Sequence, residues 1–69
     1  MTEYTIIIEP TDTGYSAYAP DLPGCITVGD TVEETRVFMQ EAIGLYIDTL
    51  KDKGMTVPPP AVLSERVAI

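Results

Sequence analysis

The sequence predicts a single α+β domain over residues 1–69 in the order β-β-β-α-β, a small, mostly antiparallel sheet with one helix packed on one face. Three observations predict it. Three short runs of β-branched and aromatic residues are punctuated by Pro, Gly and Asp. A long stretch of helical periodicity follows, with capping chemistry at both ends. A proline-rich exit then leads to a second run of strand-forming residues.

Residues 4–9 hold Ile6, Ile7 and Ile8 and stop at Pro10, which predicts a first strand. Thr11, Asp12, Thr13 and Gly14 supply turn chemistry, and residues 15–19 form a second strand closed by Pro20. So short a connection makes the pair an antiparallel hairpin. In Asp21-Leu22-Pro23-Gly24-Cys25, Pro23 sets the first central φ of a type II turn and Gly24 takes the positive φ of the second. Residues 25–28 give the third strand, ended by Gly29.

Thr31 and Glu34 read as a capping box. From there Val32, Thr35, Met39, Ala42, Ile43, Tyr46, Ile47 and Leu50 form one apolar stripe at helical spacing. Lys51 and Lys53 suit the negative end of the helix dipole, and Gly54 terminates it. Gly44, inside the helix, costs roughly 1 kcal/mol relative to Ala. Val57-Pro58-Pro59-Pro60 is an extended crossover, and residues 61–69 read as a fourth strand, best from Glu65 onward.

Four Lys and Arg against eleven Asp and Glu give a net charge of −7. That balance argues against nucleic acid and anionic membranes and favours a basic partner. There is no His, the commonest general base and transition-metal ligand, and the single Cys25 cannot form an internal disulfide. Met1-Thr2-Glu3-Tyr4 lacks a basic leader, and no apolar run approaches a membrane span, so the expected location is the cytoplasm. Below about 70–80 residues one core rarely yields more than about 3–5 kcal/mol. Without disulfides or metal, association into a dimer or tetramer is the expected supplement.

Enzymatic chemistry finds little support. Cys25 has no histidine to generate a thiolate and reads as a core residue. Glu9, Asp12, Asp21 and Asp30 lie at strand ends and turns, where each has a local role, so no metal or other cofactor is expected. Four tyrosines on a sheet suggest base stacking, which the acidic balance opposes. Gly24 and Gly29 have Walker-like spacing, but Asp30 stands where a phosphate-binding lysine belongs.

Two features point instead to protein docking. Ile7 breaks the alternation of the first strand and needs cover on the side away from the helix. Phe38 and Leu45 lie off the core stripe, on a ridge with Glu34, Glu41 and Asp48. This helical projection marks Glu34, Phe38, Glu41, Leu45 and Asp48, with Asp21 and Asp30 in the loops, as the candidate partner-binding residues.

These residues also carry a resemblance. Ile8-Glu9-Pro10, Gly14-Tyr15, Tyr18-Ala19-Pro20-Asp21-Leu22-Pro23-Gly24-Cys25, Gly29-Asp30-Thr31-Val32-Glu33-Glu34, Glu41-Ala42-Ile43, Leu45-Tyr46 and Pro58-Pro59-Pro60 together resemble the HicB family of antitoxins, over nearly the whole chain. The resemblance implies a non-catalytic, partial ribonuclease H-like domain that neutralises a small basic HicA-type mRNA-cleaving toxin by direct binding. Many members add a C-terminal DNA-binding segment. The sequence ends at Ile69 without it, so operator binding is not expected, and a solitary oligomeric member without a toxin is the alternative. Arg36, Val37, Phe38 and Gly44 depart from the family's usual helix pattern.

Overall fold

The computed structural model describes residues 2–69. Three strands, β1 (Ile7–Pro10), β2 (Tyr15–Tyr18) and β3 (Ile26–Gly29), form an antiparallel sheet in the order β1-β2-β3, followed by one helix, α1 (Val32–Asp52). The register sets Ile8 opposite Ala17 and Ala17 opposite Thr27 on the face toward α1. Ile7, Tyr18 and Ile26 align on the face away from it.

The link from β1 to β2 closes where the Thr11 N–H donates to the Gly14 carbonyl at 2.8 Å. Two successive turns join β2 to β3. The Leu22 N–H donates to Ala19 and the Cys25 N–H to Leu22, both at 3.0 Å, with a proline at the first central position of each turn. Gly24, at φ +81°, takes the positive φ of the second. This double turn folds Leu22 into the core, where its side chain is fully buried.

Capping holds α1 at both ends. The Thr31 hydroxyl accepts from the Glu34 N–H at 3.1 Å, and the Glu34 carboxylate accepts from the Asp30 N–H at 3.2 Å. The box is thus displaced by one residue from the reciprocal pattern. At the other end Gly54 (φ +68°) donates to Lys51 and Met55 donates to Leu50, a Schellman closure.

The helix packs on β2 and β3, with Ala17, Ala19, Leu22, Cys25 and Met39 as the buried apolar core. Ile6, Ile8, Ala42, Ile43 and Tyr46 pack half-buried around it. Its first turn lies so close to β3 that a Cβ on Gly29 would meet the Thr35 hydroxyl at 2.5 Å. Thr35, fully buried, satisfies that hydroxyl by donating to the Thr31 carbonyl at 2.7 Å. Burial also raises the Cys25 thiol above its usual pKa, which leaves it an unreactive core group.

Two expectations need correction. The first strand begins at Ile7 rather than residue 4, because the chain opposite turns away at Ala19 and leaves residues 2–6 no ladder partner. The fourth strand is absent: residues 55–69 form no helix or strand. Strand propensity acts through a paired neighbour, and side chains hold this segment instead. Tyr4 donates to the Pro58 carbonyl at 2.5 Å and Thr5 to the Val62 carbonyl at 3.2 Å. The Asp21 carboxylate accepts from both Ala61 and Val62 N–H groups at 3.2 Å.

Two glycines should respond with opposite signs. Gly29→Ala must push Thr35 aside and is expected to destabilise the fold by about 1–3 kcal/mol. A Cβ on Gly44 meets nothing within 4 Å, so Gly44→Ala is expected to add up to about 1 kcal/mol. Thermal or urea melts of the two variants check both. Asp21→Ala is expected to speed amide exchange at Ala61 and Val62 while the exchange of α1 stays unchanged, read by NMR hydrogen exchange.

Candidate functional site

The flank of α1 beside β3 carries the most distinctive surface. β3 is an edge strand, paired only with β2, so its outer backbone is open. Between its start and the C-terminal half of α1 runs a shallow apolar groove. Cys25 and Ile26 line one side, Leu45 and Tyr46 the other, and Leu50, Met55 and the cation Lys53 close the end. Tyr46 donates to the Pro23 carbonyl at 2.9 Å, which ties the groove wall to the turn before β3.

Helical geometry places the charges. Phe38 and Leu45 are seven residues apart, two turns along one flank, and both are exposed, Leu45 by 70%. Glu41, Asp48 and Asp52 lie at three- and four-residue steps from them, exposed on the same ridge. The groove is thus lined mostly by apolar side chains, and the carboxylates stand on the ridge beside it. On the opposite flank a second groove runs past Tyr4, Ile6, Ile43 and Gln40, with one charge of each sign, Glu3 and Arg36.

The structure brings five of the seven candidate residues onto one side. Phe38, Glu41, Leu45 and Asp48 form the exposed ridge, and Glu34 begins it. Glu34 is half-buried, and one of its carboxylate oxygens is engaged in the helix cap. Asp30 is exposed at the helix entrance. Asp21 stands apart, its carboxylate holding the C-terminal segment. Sequence reasoning missed Ile26 and Met55 as groove residues. The signal for Met55 was its place just past Gly54, where a Schellman closure brings the chain back onto Leu50.

Among the described residues no three His, Cys, Asp or Glu side chains converge on a common point that could hold a metal ion. Among the described residues no helix is long and apolar enough to cross a membrane.

Comparison with known proteins agrees with this architecture. Residues 4–68 match the family model described as HicB-like antitoxin of bacterial toxin-antitoxin system. A UPF0150 protein of Synechocystis is 39% identical over 67 residues, covering 96% of this chain and 85% of its own. Antitoxin HicB 2 of Photorhabdus laumondii is 31% identical over 62 residues, and the match spans 90% of this chain but 45% of that antitoxin. Among solved structures, a chain of the HicA3 and HicB3 toxin-antitoxin complex superposes with a TM-score of 0.75 at 33% identity, covering 86% of this chain and 70% of that one. With a family model matched along nearly its whole length and the same fold as a chain from such a complex, this protein belongs to the HicB-like antitoxin family.

Proposed function

We propose that the chain is a non-catalytic cytoplasmic antitoxin that binds and neutralises a small basic HicA-type toxin through the β3-side flank of α1. The observation that carries this reading is the acidic ridge of Glu41, Asp48 and Asp52 beside an open apolar groove and a free strand edge. A protein that cleaves RNA must present cations to phosphate. A partner of charge −7 competes for those cations, and its exposed Leu45 and Phe38 supply the apolar contact that RNA lacks.

The carboxylates act in two steps. At a distance the net field steers a basic partner toward the ridge and raises the association rate. At contact Leu45 and Tyr46 offer the well-packed apolar centre in which interface energy concentrates, and the carboxylates form the rim. No proton transfer or bond cleavage is required of this chain. Self-association into a dimer or larger oligomer belongs to the same reading, since the buried core is small and apolar surface remains elsewhere on the sheet.

Binding to a purified HicA-type toxin, followed by surface plasmon resonance, tests the reading. Glu41→Lys with Asp48→Lys is expected to lower the association rate about tenfold or more and to flatten its salt dependence. Leu45→Asp is expected to act on dissociation, weakening affinity by about 30-fold or more. Unchanged affinity in both variants rejects this surface, and failure of the wild-type chain to bind or to rescue growth rejects the antitoxin reading.

A further inference from the structure

Among the described residues, the sheet face turned away from α1 lies open above all along β3. Its two cross-strand rows are Ile7–Tyr18–Ile26 and Glu9–Ser16–Val28, fixed by the antiparallel register. Ile26 is 64% and Val28 67% exposed, and Ile7 and Tyr18 are each more than a third exposed. Contiguous apolar surface of this kind marks an interaction site. We propose that it is a two-fold homodimer interface, in which two copies of this chain pack outer sheet face against outer sheet face. The proposal names the surface for the self-association proposed above and does not depend on the toxin.

Charge selects the occupant. A two-fold contact lays a patch on its own copy, so every charge in it meets the same charge. In a chain of −7 this excludes the ridge of α1, where Glu41, Asp48 and Asp52 would face one another. The outer sheet face passes the test, because Glu9 is the one carboxylate in its two rows and sits on edge strand β1 next to Pro10, at the rim. A strongly basic partner gains little there, since one carboxylate offers it little to pair with. Two twisted sheets packed face to face about 10 Å apart interdigitate apolar side chains of this kind.

The geometry divides the molecule: a nearly neutral apolar face for its own kind, an acidic ridge for a basic protein. The two surfaces meet at Ile26, which lies both in the outer row and on the groove wall, while Glu41, Asp48 and Asp52 stand on the helix ridge outside the sheet contact.

Sedimentation equilibrium over a wide concentration range tests the proposal on the full chain. The wild type is expected to dimerise. Val28→Asp puts a carboxylate from each copy into the apolar contact and is expected to weaken the dimer by at least about 100-fold, with an unchanged far-UV spectrum. Leu45→Asp is expected to leave the dimer intact. A monomeric wild type, a dimeric Val28→Asp, or dissociation by Leu45→Asp instead overturns the proposal. NMR on a mixed labelled and unlabelled wild-type sample gives a second reading that needs no variant. Intermolecular contacts between Ile7 or Val28 methyls and the Tyr18 ring support the interface, and their absence in the dimer overturns it. Loss of toxin binding in Glu41→Lys with the dimer preserved counts against the toxin-docking surface alone.

Discussion

The close seating of α1 on β2 and β3 governs everything else in this molecule. It depends on small side chains. Gly29 admits the first helical turn against β3, and the small side chains of Ala17 and Ala19 share the buried core with Met39. A sheet of four-residue strands offers one helix little to grip, so the shortest approach yields the most dispersion contact per residue. The double turn of residues 19–25 completes the arrangement by inserting Leu22 where the helix would otherwise leave a gap. Because α1 sits over β2 and β3, the outer side of β3 and the outer flank of α1 remain exposed.

Local chemistry was the most legible part of the sequence. The Pro23-Gly24 turn, the Thr31–Glu34 cap and the Gly54 terminus are each set by residues within a few positions of one another, and each formed where its residue types require. The apolar stripe of α1 was legible for a related reason: period 3.6 is a property of the element itself. Strand limits were less so. Ile6 has the propensity of a strand residue but no partner beyond Tyr18, and partnership depends on where another segment turns. The missing fourth strand is the extreme case. Val62, Val67 and Ile69 look like strand residues, yet Asp21, Tyr4 and Thr5 hold the segment through side chains, which no local pattern encodes.

The exposed acidic ridge was half legible for the same reason. Helical projection found Phe38, Glu41, Leu45 and Asp48, because a helix carries its own geometry. Ile26 and Met55 join the groove only through tertiary placement, and Asp21 was drawn away from it by the C-terminal segment. Ile7 was different again. Its breach of alternation showed that a second surface existed, while the identity of that surface, a row shared with Tyr18 and Ile26, needed the register.

The distribution of charge over these faces follows from what each contact must do. A carboxylate on a solvated helix ridge keeps its hydration until a cation arrives, so it costs little in the free protein and acts over a Debye length of about 8 Å at physiological salt. The same carboxylate in a sheet face packed on its own copy would lose water and meet its like, a loss with no compensating partner. An acidic inhibitor that also self-associates therefore has to segregate its charge by face. The strands do this through period-2 alternation, with Ile7, Tyr18 and Ile26 in one outer row and Glu9 held to the edge. The helix does it through period 3.6, with Glu41, Asp48 and Asp52 turned from the core. The two periodicities that build the core also gather most of the carboxylates on the helix ridge and leave the outer sheet face largely apolar.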